Sequence, residues 1–91
     1  MTDARPALSR RARLHWDRAR SAHVLLVPEG VLHLNEQAAE VLALCDGARS
    51  EADVVRALAE RYPDAPVEAL TEDVSELLNR LRTRGFVQDK P

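Results

Sequence analysis

The sequence predicts a small α+β domain in which a three-stranded antiparallel sheet precedes three helices. The chain has 91 residues, which suffices for one domain and leaves no room for a second. Between residues 13 and 34, three short apolar or alternating runs are separated by turn signals, and from residue 36 onward the apolar positions change to helical spacing. Only 3% of the residues are aromatic, so we expect an aliphatic core of Leu, Val and Ala.

The three predicted strands follow one another closely. Arg13–Asp17 alternates polar and apolar side chains, and Ala22–Val27 is aliphatic and β-branched. Pro28–Gly30 is a turn signal, after which Val31–Leu34 forms the third strand. Because the connections are short, we expect an antiparallel meander.

The three predicted helices are marked by their ends. Asn35 is a good N-cap for the first helix, which we expect to end at Asp46–Gly47. Ser50 caps the second helix, with Asp53 at the capping-box position. The third helix keeps apolar spacing from Val67 to Leu81 and ends before Gly85. A sheet followed by three helices is typical of a winged helix-turn-helix domain.

We expect a flexible basic arm over residues 1–11, a single winged-helix domain over residues 12–88 and a tail over residues 89–91. The charge is unevenly distributed. Residues 1–23 carry six arginines against two aspartates, whereas residues 35–79 carry eleven acids against three arginines. An acidic middle opposes the wrapping of a polyanion and favours a peptide or protein partner.

No residues are arranged for catalysis, a cofactor or a metal ion. The three histidines, His15, His23 and His33, lie on predicted strands without the spacing of metal ligands, and Cys45 falls on the apolar face of the first helix. We therefore expect no enzyme activity, no cofactor and no metal site. A lone cysteine and an N-terminus without a signal peptide favour the cytoplasm, and no apolar run is long enough for a membrane span.

Three binding roles remain open from the residues alone. A nucleic-acid-binding regulator would place the last helix in the major groove, but most of that helix is acidic and would repel phosphate. A dimerisation module would pair its edge strand with a second copy, so the chain could be a monomer or a dimer. A peptide-binding module would accept an added strand on the edge formed by Val31, Leu32, His33 and Leu34.

The third helix offers a stripe beside that edge. It consists of Asp73, Leu77, Arg80 and Arg84, which share one side of the helix. One apolar residue flanked by charges of both signs suits a groove for a mixed peptide. Periodicity does not separate this interpretation from one in which Leu77 belongs to the core and the charges are merely solvated.

The ordered set of motifs resembles the PqqD family of pyrroloquinoline quinone biosynthesis. Residues 24–35, VLLVPEGVLHLN, are similar to the family's hairpin signature, and Leu44–Gly47 resembles its LcDG motif. The similarity continues through Asp73–Val74 to the closing Gly85–Val87 and covers about residues 5–88. No single piece is decisive, but the set at these spacings is specific.

This resemblance implies a peptide-recognition element of the kind that serves enzymes modifying ribosomal peptides. It implies that the chain binds the precursor peptide PqqA and presents it to the radical S-adenosylmethionine enzyme PqqE. It also implies that the peptide pairs with the third strand and lies beside the third helix, in contact with Leu32, His33, Leu34, Asp73, Leu77, Arg80 and Arg84.

Overall fold

The computed structural model describes residues 4–91, which form two antiparallel sheets and three helices. In chain order the elements are β1 (Arg5–Leu8), β2 (Arg13–Asp17), β3 (Ala22–Val27), β4 (Gly30–His33), α1 (Glu36–Leu44), α2 (Glu51–Arg61), α3 (Val67–Thr83) and β5 (Val87–Lys90). One sheet has the order β2-β3-β4, and the other pairs β1 with β5. The predicted α+β class, with a three-stranded antiparallel sheet followed by three helices, is confirmed, while the winged-helix label stays a prediction.

Local signals set the beginnings of α1 and α2. The Asn35 side chain accepts a hydrogen bond of 2.7 Å from the backbone N–H of Ala38, and Ser50 and Asp53 form a reciprocal capping box. The predicted end of α1 is two residues late, because the helix stops at Leu44 and Cys45 is its C-cap.

Gly47 has another role than the expected helix cap. Its φ is +80°, and its N–H donates a 3.0 Å hydrogen bond to the carbonyl of Pro6. A Cβ at this position would lie 3.0 Å from a side-chain carbon of Lys90 and 3.5 Å from the Cβ of Ala7. Gly47 therefore lets the loop after α1 approach the two-stranded sheet closely.

The expected flexible arm is wrong for residues 5–8, and so is the expected tail at residues 89–90. The two ends of the chain pair as β1 and β5, with Arg5 opposite Lys90 and Leu8 opposite Val87. Pro6 and Ala7 are buried. This pairing joins segments about eighty residues apart. The segment Arg5–Leu8 has no periodic signal of its own, which is why β1 is not visible in the sequence. Residues 1–3 of the expected arm lie outside the described residues.

The core lies between the three-stranded sheet and the helices, and it is aliphatic as expected. Leu25 of β3, Val54 and Leu58 of α2, and Val74 and Leu78 of α3 are completely buried. Phe86 joins them from the segment after α3. Among residues 4–91, no helix combines the length and the apolar character that a membrane crossing requires.

Candidate functional site

The candidate site begins at the free edge of β4. This strand pairs with β3 on one side and with no other described strand on the other. The two-residue turn makes Val27 and Gly30 the first hydrogen-bonded pair of the hairpin, and the register then alternates, so that Leu32 bonds to Leu25. The backbone N–H and C=O groups of Val31 and His33 therefore point away from β3, towards the free edge.

A groove of about 510 Å³ runs between β4, the start of α1 and one face of α3. Leu32, Leu34 and Leu77 are half-buried and pack against the core from its walls. Seven of the eight residues predicted for the site line this groove together: Leu32, His33, Leu34, Asp73, Leu77, Arg80 and Arg84. Val31 does not line it, and its side chain is 49% exposed.

Sequence reasoning missed part of the lining. Glu76 contributes a further acid, and its position three residues after Asp73 was the available signal. The wall from α1, formed by Gln37, Ala38 and Val41, depends on how α1 crosses the sheet and has no counterpart in any local pattern.

The groove carries charges of both signs along α3. Asp73 and Glu76 lie towards the start of the helix, and Arg80 and Arg84 lie towards its end. Arg80 approaches Glu76 to 3.5 Å, but both side chains are largely exposed, so this pair is weak and open to exchange. Within residues 4–91, neither Asp73 nor Arg84 takes part in an ion pair.

The end of α3 fixes the place of Arg84. Gly85, at φ +81°, donates to the carbonyl of Arg82, and the N–H of Phe86 donates to the carbonyl of Leu81 at 2.9 Å. These two bonds are the Schellman arrangement that closes a helix at a left-handed glycine. The turn sends Phe86 into the core, and the Arg84 guanidinium lies 5.0 Å from the centroid of its ring.

Cys45 is not a candidate nucleophile. Its thiol donates to the carbonyl of Val41 at 3.2 Å, and burial raises its pKa to about 12. The charge of Arg82 acts on the thiol in the opposite direction and lowers its pKa. Desolvation outweighs this effect, so the sulfur is a small core group.

The three histidines do not meet. His15 and His33 are exposed, and His23 is half-buried with its ring 4.9 Å from the ring of Trp16. Among the described residues, no group of three or more His, Cys, Asp or Glu side chains is arranged to hold a metal ion.

Comparisons with known proteins identify relatives of this chain. The family model described as coenzyme PQQ synthesis protein D (PqqD) matches residues 22–87. The PqqA binding protein of Azotobacter vinelandii is 43% identical over 83 residues, which are 91% of this chain and 88% of that protein. The PqqA binding protein of Bradyrhizobium diazoefficiens is 45% identical over 86 residues, 94% of this chain and 82% of that protein.

Two solved structures resemble the fold. The solution NMR structure of the PqqD truncation of Methylobacterium extorquens PqqCD, a stand-alone recognition element for ribosomally synthesized and post-translationally modified peptides, has a TM-score of 0.78 at 32% identity. The match covers 96% of this chain and 90% of that one. The crystal structure of PqqD from Xanthomonas campestris has a TM-score of 0.56 at 38% identity, with 92% of both chains covered.

The relatives' names describe binding and recognition, and none describes a catalyst. The expectation that the chain is not an enzyme is confirmed by these relatives. The family-model match spans most of the chain, and the relatives align over almost all of it. The chain belongs to the PqqD family.

Proposed function

We propose that this protein binds the precursor peptide PqqA as an added strand on β4 and presents it to the radical S-adenosylmethionine enzyme PqqE. The observation that carries the proposal is the juxtaposition of a free strand edge with a mixed apolar and charged groove along α3. The names of the relatives support the same peptide. A cytoplasmic location is part of the proposal, and the single buried cysteine is consistent with it.

Backbone pairing supplies the part of the affinity that does not depend on sequence. An extended peptide beside β4 would exchange hydrogen bonds with the outward N–H and C=O groups of Val31 and His33. Each such bond contributes about 0.5–1.5 kcal/mol net, so four of them hold a peptide only when side chains add to them.

Side chains in the groove supply the selectivity. Alternate residues of an added strand point to one face, and on the α3 side they would meet Leu32, Leu34 and Leu77. Arg80 and Arg84 would favour acidic residues at one end of the peptide, and Asp73 with Glu76 would favour basic residues at the other. The charge order along α3 therefore sets the direction in which the peptide lies.

The exposed face of α3 argues against the alternative that this protein binds nucleic acid. Glu68, Glu72, Asp73 and Glu76 are all exposed on this helix. A recognition helix with four exposed acids would oppose the phosphate contacts that dominate nucleic-acid affinity.

The test is a titration of isotope-labelled protein with synthetic PqqA, followed through its amide resonances. We expect saturable shifts at Val31–His33 and along the groove face of α3. Arg80→Glu should weaken binding by about three- to tenfold, as expected for an exposed charge in a binding groove. Arg56→Glu on α2 is the matched control, because Arg56 is similarly exposed, pairs with Asp53 one turn away and lies outside the groove.

Delivery of the peptide is tested separately with PqqE. The rate at which PqqE modifies the peptide should fall when the wild-type protein is replaced by the Arg80→Glu variant. It should not change with the Arg56→Glu variant. A folded wild-type protein that shows no saturable amide shifts with PqqA would overturn the proposal.

A further inference from the structure

A second groove of about 520 Å³ lies on the other flank of α1. Its walls come from the β2–β3 hairpin, through Trp16, Ala22 and His23, and from the outer side of α1, through Ala39 and Ala43. The floor is lined by small side chains, which leaves room for a side chain from outside.

Trp16 is the aromatic residue of this groove, and it is 48% exposed. The ring of His23 packs against the indole in a T-shaped arrangement, with 4.9 Å between the ring centroids and 69° between the planes, and leaves much of the indole uncovered. Tryptophan is enriched among the residues that dominate protein–protein affinity.

The rim of the groove is acidic. Glu36 is exposed and forms no ion pair within residues 4–91. Glu40 accepts a 3.0 Å hydrogen bond from the hydroxyl of Tyr62, and Arg61 lies 3.9 Å from it. The opposite charges of Glu40 and Arg61 therefore offset each other. The negative charge of Glu36 is not offset by an ion pair among the described residues. The groove suits a segment that carries an apolar side chain next to a basic one.

The two grooves are neighbours on opposite flanks of one helix. They share Leu34 and Asn35 on their rims, whereas the first groove uses Ala38 and Val41 of α1 and the second uses Ala39 and Ala43. The first turn of α1 therefore separates a ligand on β4 from a ligand at Trp16. A ligand in one groove would therefore lie directly beside a ligand in the other.

We propose that the second groove is the docking surface for the enzyme that receives the peptide, and that this enzyme inserts an apolar side chain against Trp16 with a basic residue beside Glu36. The inference rests on the proposed function, which requires a partner bound next to the occupied peptide groove. The shared rim at Leu34 and Asn35 places such a partner against the peptide.

Two other occupants fit the groove less well. A second copy related by a two-fold axis through the groove would bring together two surfaces of the same net charge, because each has Glu36 and Glu40 against Arg61. A continuation of the peptide would have to leave the edge of β4 and cross the first turn of α1.

The first experiment measures the affinity of purified PqqE holoenzyme for the wild-type chain and for four variants of it. Trp16→Ala should weaken enzyme binding at least about tenfold while PqqA affinity stays within twofold. Val67→Ala is the control, because Val67 is 55% exposed and lies outside both grooves. Glu36→Arg should also weaken enzyme binding, whereas Glu60→Arg, an exposed charge of α2 outside the grooves, should not.

The second experiment uses 5-fluorotryptophan, since the chain has one tryptophan and its fluorine resonance reports on this groove alone. We expect the resonance to shift with PqqE and to stay unchanged with PqqA or with increasing protein concentration. A shift with PqqA or with concentration would assign the groove to the peptide or to a second copy and overturn the inference.

The two proposals fail in different ways. Enzyme binding that survives Trp16→Ala unchanged would remove the docking surface and leave peptide presentation intact. A wild-type protein that does not bind PqqE would refute presentation itself, and the docking surface with it.

Discussion

The guanidinium carbon of Arg84 lies 5.0 Å from the centroid of the Phe86 ring. Phe86 is 1% exposed, so this contact ties a cation of the groove to the core. Arg11 lies 5.6 Å from the same centroid and 3.5 Å from Glu29 in the β3–β4 turn. Arg11 thus bridges the Phe86 ring after α3 and the turn before β4, and its pair with Glu29 is exposed and weak.

Phe86→Leu tests this contact. It keeps an apolar side chain in the core and removes the aromatic face, so we expect about 1 kcal/mol less stability and a two- to fivefold loss of PqqA affinity. Urea unfolding and calorimetric titration measure the two effects. Val54→Ala is the control for destabilisation, because Val54 is completely buried in α2 and lines neither groove. An equal loss of affinity in both variants would refute a specific role for the ring.

Leu77 and Leu78 are neighbours in α3, but we expect substitution of Leu78 to lower mainly stability and substitution of Leu77 to lower mainly PqqA affinity. Leu78 is completely buried, so Leu78→Ala should lower the free energy of unfolding by about 2–5 kcal/mol. Leu77 is half-buried in the groove wall, so Leu77→Ala should cost about 1 kcal/mol of stability and weaken PqqA binding more strongly than any single charge change. Unfolding curves and titrations of the two variants check this contrast. Full PqqA affinity in Leu77→Ala would exclude this leucine from the contact.

Proline substitutions distinguish the free edge of β4 from the edge that pairs with β3. The N–H of Val31 points to the free edge, so Val31→Pro removes a donor for the peptide without breaking a bond to β3. Leu32→Pro removes a bond to Leu25 and should unfold the hairpin. We expect Val31→Pro to retain its circular dichroism spectrum and to lose PqqA binding at least about tenfold. Undiminished binding by this folded variant would argue against strand addition.

The buried thiol of Cys45 should make the protein less stable in alkali. Its pKa rises from 9.0 to about 12 on folding, so the folded state keeps a proton that the unfolded chain releases. This contribution to stability is complete below pH 9 and is lost as the pH rises towards 12.

Urea unfolding of wild type and Cys45→Ala across that pH range isolates the effect. The hydrogen bond to Glu40 also raises the pKa of Tyr62, which acts in the same direction and is common to both proteins. The alkaline decline should be shallower in Cys45→Ala. Parallel curves would show that the thiol does not contribute.

Secondary-structure elements that are marked by a pattern of neighbouring residues could be predicted from the sequence. Alternation in Arg13–Asp17 and β-branching before Pro28 place β2 and β3 at the bounds found in the structure. Asn35 and Ser50 mark the starts of α1 and α2. A helix cap joins residues only three positions apart, so it can be recognised from the local sequence. Helical spacing likewise places Asp73, Leu77, Arg80 and Arg84 on one side of α3, but it did not predict whether that side lines a groove.

Features that join distant segments were not predictable. Arg5–Leu8 has no periodicity of its own and becomes a strand only because Val87–Lys90 lies beside it. The second groove depends on the packing of the β2–β3 hairpin against α1. No local pattern around Trp16 or Ala43 indicates that these two residues line the same groove.

Pairing of β1 with β5 places the two ends of the described chain side by side, with Arg5 opposite Lys90. The backbone is therefore nearly a closed ring. A short linker from residue 91 back to residue 4 could seal it, and a new opening at the exposed Arg18–Arg20 turn would give a circular permutant with the same sheet order.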